Sequence, residues 1–182
     1  MTVTLYKWTL DRYHAAIDAG LFDEQPVELL QGDIVIMPPE GEAHACYSSD
    51  GADYLRRLLG ERASIRETKP VTLPDNSEPI PDVAIVKPPL RRYLEHHPYP
   101  ADIFWLIEYS NTTLAKDLGK KKQIYAEAGI EEYWVSDLKN CQLKVFRDLS
   151  DGKYQTELTR VEGMVSPLYF SDVAIDVRRL FS

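Results

Sequence analysis

Two short apolar segments, each bordered by an acid, constrain the fold of this chain more than any other feature. Residues 83–86 (Val-Ala-Ile-Val) directly follow Asp82, and residues 104–107 (Phe-Trp-Leu-Ile) directly precede Glu108. Such runs are typical of strands that are covered on both faces. Burying an ionised carboxylate there costs several kcal/mol unless a cation or hydrogen-bond donors compensate it. Two such acids on neighbouring strands therefore predict a divalent metal site.

Each acid taken alone has a simpler interpretation. Asp82 follows Pro81, and Pro–Asp pairs are common in turns, where the carboxylate accepts hydrogen bonds from nearby amides. Glu108 alone fits a strand acid that points to solvent. The pair favours the metal site, because ligand sites in such sheets collect at the carboxyl ends of the strands.

A lysine downstream supplies the positive charge that such a site needs. Lys121 falls on a stripe with helical spacing, while Lys120 and Lys122 lie about 100° to either side of it and should be solvated. The stripe consists of Leu114, Leu118, Lys121, Tyr125 and Ala128. Two alternatives stay open for Lys121: its ammonium group reaches water past a packed stem, or it pairs with Asp117, four residues earlier.

The rest of the pattern predicts helices and strands in alternation. Helices are expected over 6–19 before Gly20, over 44–59, and from a cap at Asn111 or Thr112 to Ala128 before Gly129. Further strands are expected at 63–72, 132–136 and 142–146, after a hairpin over 27–37 that turns at Gln31-Gly32. We therefore expect one domain over 1–182, of α/β (α+β) class, with a mixed central sheet flanked by helices and an N-terminal hairpin.

Charge and composition limit the kind of partner. The formal net charge of −8 argues against a surface that attracts nucleic acid everywhere, but it allows a local basic cleft. The most basic stretch is 87–102, where Lys87, Arg91 and Arg92 are candidate substrate contacts; a solvated loop is the simpler interpretation. The sequence has no phosphate-binding glycine loop, no nucleophile elbow and no dinucleotide fingerprint.

Cysteine usage and the N-terminal residues bear on the compartment. Cys46 and Cys141 are too few and too far apart for a disulfide framework or a zinc ribbon, which fits a reducing cytoplasm. Residues 1–7 lack a basic region followed by a hydrophobic one, so we expect no secretory signal. No apolar run approaches the length of a membrane span.

Several segments in a fixed order carry a resemblance to a known family. They are residues 27–39 with His44 shortly after, 77–86, 106–110, Asp117, Lys121, 125–130, 132–137, 165–167 and 176–181. Through them the chain resembles the Uma2 (Uma-two) family of putative endonucleases, within the restriction-endonuclease-like PD-(D/E)XK superfamily. The resemblance covers most of the chain.

This resemblance implies an endonuclease of restriction-endonuclease-like fold that uses Mg²⁺ or Mn²⁺ to cut nucleic acid, with DNA as the expected substrate. Asp82 and Glu108 match the metal-binding acids, joined by the carbonyl of Tyr109, and Glu28 matches an early family glutamate that would be an auxiliary ligand. Lys121 matches the family's displaced lysine, since Ser110 occupies the usual lysine place two residues after Glu108.

His44 is a candidate contact to the substrate phosphate or to a metal, while a histidine that only begins a helix is the simpler interpretation. A homodimer is expected by analogy with other restriction-type folds. The competing hypothesis is a non-catalytic binding module that keeps the fold. It is motivated by the acidic net charge and by Ser110 at the usual lysine place.

Overall fold

Three main helices are present in the computed structural model, which describes residues 4–181. Helix α1 is Leu10–Asp18 and helix α2 is Glu42–Leu59. Helix α3 consists of three consecutive segments, Leu114–Lys116, Asp117–Lys121 and Lys122–Glu127, of which the middle one is π-helical. Within the described residues, no helix is long and apolar enough to cross a membrane. Residues 1–3, on which part of the signal prediction depends, and residue 182 lie outside them.

A six-stranded mixed sheet forms the centre of the fold. Its strands, in spatial order, are β3 (Ser64–Glu67), β4 (Val83–Val86), β5 (Ile103–Ser110), β6 (Tyr133–Asp137), β7 (Gln142–Ser150) and β8 (Lys153–Arg160). Only the β5–β6 pair is parallel. Two small antiparallel pairs accompany it: the predicted hairpin β1 (Val27–Leu30) with β2 (Asp33–Ile36), and β9 (Met164–Val165) with β10 (Ile175–Asp176). The predicted fold class and N-terminal hairpin are confirmed.

The two faces of the sheet carry separate cores. Helix α2 and the C-terminal segment cover one face, where Trp105 and Trp134 lie fully buried. Helix α3 covers the other, where Leu106 and Tyr133 are buried beside Tyr125. Because side chains alternate along a strand, successive residues of β5 from Trp105 onward face opposite sides of the sheet. This explains its almost continuous apolar sequence.

Some predicted boundaries were wrong for local reasons. Helix α1 begins after Thr9, whose side chain accepts a hydrogen bond from the amide of Arg12, so residues 6–9 are not helical. Thr113, rather than Asn111 or Thr112, directly precedes α3. The strand expected over 63–72 ends at Glu67, because Thr68 takes a positive φ of 49°.

Two features lay outside the predictions. Strand β8 has alternating exposed polar residues at the sheet edge, a weaker signal than the apolar runs of the central strands. The connection 87–102 is anchored to the core, since Tyr93 is buried and donates its hydroxyl to the carbonyl of Lys87 at 2.8 Å. The expectation of a single domain over 1–182 stays a prediction.

Candidate functional site

Asp82 and Glu108 lie side by side at one end of the central sheet. Strands β4 and β5 are antiparallel with Val83 opposite Ile107, so continuing the register by one residue places Asp82 opposite Glu108. Both side chains fall on the α3 face, because they share the parity of Ala84 and Leu106. The sheet therefore brings together the two acids that the sequence analysis paired.

One carboxylate oxygen of Asp82 is held and the other is free. Oδ2 accepts hydrogen bonds from the Tyr109 amide at 2.6 Å and from Nε2 of His44 at 3.0 Å. Across residues 4–181, no hydrogen-bond donor contacts Oδ1 of Asp82. The side chain is thus fixed through one oxygen, while the other is available to a ligand.

Glu108 shows the same division between its two oxygens. Its Oε1 accepts from Nζ of Lys121 at 2.8 Å and from the hydroxyl of Tyr125 at 2.8 Å, whereas Oε2 has no donor within the described part of the chain. Burial raises the pKa of Glu108 to about 8, against the opposing charge of Lys121 and with the charge of Asp82 reinforcing the rise. A cation between Asp82 and Glu108 would favour the ionised form.

The carbonyl of Tyr109 points to the same side as these acids. The even-numbered residues of β5 form their backbone hydrogen bonds on the β6 side. The amide of Leu106 donates to the carbonyl of Glu132 (3.4 Å), and the amide of Leu138 donates to the carbonyl of Ser110 (3.0 Å). The backbone N–H and C=O of one strand residue point the same way. The Tyr109 carbonyl is therefore directed with its N–H towards Asp82, as the metal-site prediction requires.

Lys121 is buried on the inward side of α3 and lies between two acids. Its ammonium group, in a side chain only 3% exposed, is 2.8 Å from Oε1 of Glu108 and 3.3 Å from Oε2 of Glu28. Burial alone lowers the pKa of Lys121, but the charges of Glu108 and then Glu28 outweigh it and hold the pKa above its ordinary value. Because the side chain is buried and paired, the snorkelling alternative is wrong.

Glu28 is fully buried and both of its oxygens are engaged. Oε1 accepts from Nζ of Lys116 at 2.9 Å, and Oε2 accepts from the amide of Ile80 at 3.2 Å beside Lys121. Burial alone raises the pKa of Glu28, and the charges of Lys121 and Lys116 outweigh it, so the pKa lies below its ordinary value. An auxiliary metal-ligand role for Glu28 stays a prediction; its contacts are those of an anchor for lysines.

Asp117 has hydroxyl partners instead of the helical ion pair considered above. Its Oδ2 accepts from Oγ of Ser110 at 2.7 Å and from Oγ1 of Thr113 at 2.6 Å, and no ion pair links it to Lys121 among the described contacts. Ser110, which stands where the superfamily has its lysine, thus ties the end of β5 to the first turn of α3. This contact helps to fix the helix that carries Lys121.

Two connected depressions open at this end of the sheet. A cavity of about 60 Å³ is bordered by both acids, Lys121 and Lys116, which is room for a small cation and a few waters. A wider depression of about 240 Å³ adjoins it and shares Glu40, His44, Tyr109 and Thr113. The free oxygens therefore face a space that is open to a larger ligand.

A second group of metal-ligand type overlaps the first through Asp82. Ligand atoms of Glu40, His44 and Asp82 all lie within 4.8 Å of one another, and Nδ1 of His44 is 4.0 Å from the Glu40 carboxylate. The bond from His44 to Asp82 raises the pKa of the imidazole. Free carboxylate oxygens, a backbone carbonyl and an imidazole are suitable donors for a divalent cation.

Comparison with known proteins decides the family. The model of the Uma2 family, described as "Putative restriction endonuclease", matches residues 10–178. The chain belongs to the Uma2 family. Family membership supports nuclease activity, that of a hydrolase acting on nucleic acid.

A solved structure agrees in fold. It is described as the crystal structure of a putative nuclease belonging to DUF820 from Anabaena variabilis ATCC 29413, and it superposes with a TM-score of 0.70 at 16% identity, covering 87% of this chain and 90% of that one. No protein of curated function matches this Uma2 chain.

Three basic candidates of this Uma2 protein lie away from the cavity. Lys87, Arg91 and Arg92 follow the far end of β4, and the five residues from Asp82 to Lys87 span roughly 16 Å at strand geometry. Arg92 is also paired with Asp102 at 3.2 Å. Contacts from these residues to more distant parts of a substrate stay a prediction.

Several contributors to the site carried little signal in the sequence. The hydroxyl of Tyr125 donates a hydrogen bond to Glu108, whereas the sequence pattern places Tyr125 on the inward stripe of α3 without assigning it a partner. Lys116 and Glu40 border the cavity, but no pattern in the sequence distinguishes them from other charged residues. The sequence signal that indicates a role for Tyr125 is its position one helical turn after the inward-facing Lys121, on the same stripe of the helix.

Proposed function

We propose that this Uma2 protein hydrolyses phosphodiester bonds of DNA in a reaction that depends on Mg²⁺ or Mn²⁺. The observation that carries the proposal is the pair Asp82 and Glu108, each with one oxygen held by donors and one free beside a cavity. The buried ammonium group of Lys121 lies next to them. Family membership gives nucleic acid as the substrate class.

The residues fit a hard divalent cation. Oδ1 of Asp82, Oε2 of Glu108 and the Tyr109 carbonyl would hold it, leaving its other positions to water and phosphate oxygens, as Mg²⁺ prefers. When bound, the cation would lower the pKa of a water molecule and offset negative charge on the scissile phosphate.

The protein groups around the acids orient them in advance. The Tyr109 amide and His44 fix Asp82, and Lys121 and Tyr125 fix Glu108. Because these donors are in place before substrate binds, little reorganisation is needed during the reaction. Lys121 also places a permanent positive charge beside the position of the phosphate, which favours the build-up of negative charge there.

The overall acidity of the chain does not conflict with this proposal. The net charge of −8 is a sum over the whole chain, whereas substrate attraction depends on the local field. Helix α3 carries Lys116, Lys120, Lys121 and Lys122 along seven residues next to the site. Each of them is offset by a nearby acid, but Lys116 and Lys120 are partly exposed and so add positive charge on the solvent side of the helix.

The test is cleavage of a panel of duplex and single-stranded DNA and RNA in Mg²⁺, in Mn²⁺ and with chelator. Asp82→Asn and Glu108→Gln keep the shape of each side chain and remove its charge. Asp53→Asn is the matched control, because Asp53 is an exposed acid on α2 that pairs with Arg56. We expect cleavage of DNA that is lost with chelator and in both site variants and is retained in Asp53→Asn.

Two outcomes would contradict the proposal. Cleavage that persists in Asp82→Asn would assign the activity to another site or a contaminant. The second outcome is a folded wild-type protein that cuts no member of the panel but binds one of them, with Asp82→Asn binding that nucleic acid with the same affinity. This result would favour the binding-module hypothesis. Cleavage of RNA in preference to DNA would change the proposed substrate and leave the proposed reaction unchanged.

Sedimentation of the same preparation tests the expected homodimer, and localisation in cells tests the expected cytoplasmic compartment.

A further inference from the structure

The ammonium group of Lys121 is enclosed by protein partners. An ammonium group has three N–H donors. Nζ of Lys121 donates hydrogen bonds to Oε1 of Glu108 at 2.8 Å and to the carbonyl of Ile80 at 3.4 Å, and it forms an ion pair with Glu28 at 3.3 Å. The side chain is 3% exposed. A phosphate could reach this buried lysine only if the surrounding groups moved apart.

Lys116 differs from Lys121 in both respects. Its Nζ has one partner among the described residues, Oε1 of Glu28 at 2.9 Å, and its side chain is 26% exposed. It borders the same cavity as Asp82 and Glu108. Two N–H donors of Lys116 are therefore available on the open side of the site.

The π-helical turn explains how two lysines five residues apart reach one carboxylate. In a regular α-helix, residues five apart point about 140° away from each other. In the segment Asp117–Lys121 hydrogen bonds span five residues, so residues five apart lie nearly one above the other. Glu28, on the hairpin, then contacts Lys116 through one oxygen and Lys121 through the other.

We propose that Lys116 is the lysine that binds a phosphate oxygen of the substrate, whereas Lys121 is a positioning residue that fixes Glu108 and Glu28. The assignment rests on the proposed nuclease function and deepens it. Glu28 accepts one hydrogen bond from the ammonium group of Lys116 at the edge of the cavity, so this group is oriented before substrate arrives. A charge-assisted bond to phosphate then needs no rearrangement of the buried pair.

The test compares Lys116→Gln with the matched control Lys120→Gln. Glutamine can still donate to Glu28, which limits damage to the buried network. Lys120 lies on the same helix with its side chain 38% exposed, pairs with Asp33 at 3.0 Å, and does not border the cavity. Both variants lose one positive charge from α3, so a difference between them reports the position of that charge.

Binding is measured by anisotropy of a fluorescein-labelled duplex that the wild-type protein cuts, with Ca²⁺ in place of the active metal, over a range of salt. We expect Lys116→Gln to weaken binding by about 10- to 100-fold, as for loss of a bond to a charged group. The slope of log Kd against log salt should fall by about 0.9 for one lost phosphate contact. Lys120→Gln should stay within about twofold of wild type, and Mn²⁺ affinity should be unchanged in both.

Lys121→Met provides the complementary measurement. As a positioning residue, Lys121 should affect Mn²⁺ affinity and thermal stability, and the salt slope should keep its wild-type value. If wild type cuts the duplex but Lys116→Gln matches Lys120→Gln in affinity and slope, the assignment to Lys116 is overturned while the nuclease proposal stands. If wild type neither binds nor cuts the panel, the nuclease proposal fails, and this assignment fails with it.

Discussion

The hydroxyl of Tyr109 packs directly on the backbone of Gly51. A Cβ atom added at Gly51 would lie 1.9 Å from Oη of Tyr109 and 3.0 Å from its Cζ, far inside van der Waals contact. Tyr109 is buried, and its hydroxyl has no hydrogen-bond partner in the described part of the chain. A glycine on α2 thus sets the position of the residue whose amide holds Asp82.

We expect Gly51→Ala to impair the site from a distance. Overpacking a dense core costs about 1–3 kcal/mol, and replacing a mid-helix glycine by alanine returns about 0.5–1 kcal/mol, so net destabilisation should be small to moderate. Activity should fall more than stability suggests, because Tyr109 must shift. Thermal melts and cleavage rates measure the two effects, and unchanged cleavage would contradict the coupling.

Tyr109→Phe should be tolerated and should partly rescue Gly51→Ala. The substitution removes an unpaired buried hydroxyl, which costs stability when it is left without a partner, and it keeps the backbone amide and carbonyl. The closest clash with a Cβ at Gly51 disappears as well. A double-mutant cycle of Gly51→Ala and Tyr109→Phe, measured by thermal melts and cleavage rates, tests this rescue. If the effects of the two substitutions are strictly additive, Oη is not the point of contact.

Lys121→Met should destabilise the protein. Breaking a buried ion pair by removing one partner costs about 3–5 kcal/mol. We expect the lower end, about 3 kcal/mol, because Glu108 can take up a proton and Glu28 keeps Lys116. Denaturant unfolding measures the change. Lys122→Met, which removes a half-exposed lysine whose nearest acid is 3.9 Å away, is the control and should change stability little.

Metal affinity should increase with pH. Burial raises the pKa of Glu108 to about 8, so protons compete with a metal ion for this carboxyl group below that pH. A cation must displace the proton, and the association constant of Mn²⁺ should rise by up to about tenfold per pH unit, then level off near pH 8. Calorimetry over pH 6–9 measures it. Glu108→Gln should weaken binding and flatten the slope; an equally steep slope there would contradict the role of Glu108.

The positions of Asp82, Glu108 and Lys121 could be predicted because local patterns determine them. The four-residue apolar runs indicate that Asp82 lies beside one central strand and Glu108 in the next, and helical periodicity directs Lys121 inward. Lys121 is buried even though it lies in the π-helical turn, because the predicted stripe of α3 lies on the side of the helix that packs on the sheet.

The contacts of Glu28, Lys116 and Tyr125 could not be predicted in the same way. Glu28 and Lys116 are 88 residues apart, and they meet only because the hairpin docks beside α3 and the helix contains a π turn. The hydroxyl of Tyr125 meets Glu108 through packing of α3 on β5. Such contacts depend on how whole elements fit together, which neither propensity nor spacing encodes.

His44 should make the site favour Mn²⁺ over Mg²⁺. Mg²⁺ prefers oxygen ligands, whereas imidazole suits transition metals, and the imidazole of His44 lies within 4.8 Å of ligand atoms of Asp82 and Glu40. We expect His44→Ala to lower Mn²⁺ affinity by about tenfold or more and Mg²⁺ affinity by a smaller factor, because both metals lose the donor that fixes Asp82 while imidazole favours Mn²⁺. Electron paramagnetic resonance of free Mn²⁺ gives the first value, and competition by Mg²⁺ gives the second. His96→Ala, at an exposed histidine stacked on Tyr99, is the control. An equal loss for both metals would mean that His44 acts only by holding Asp82.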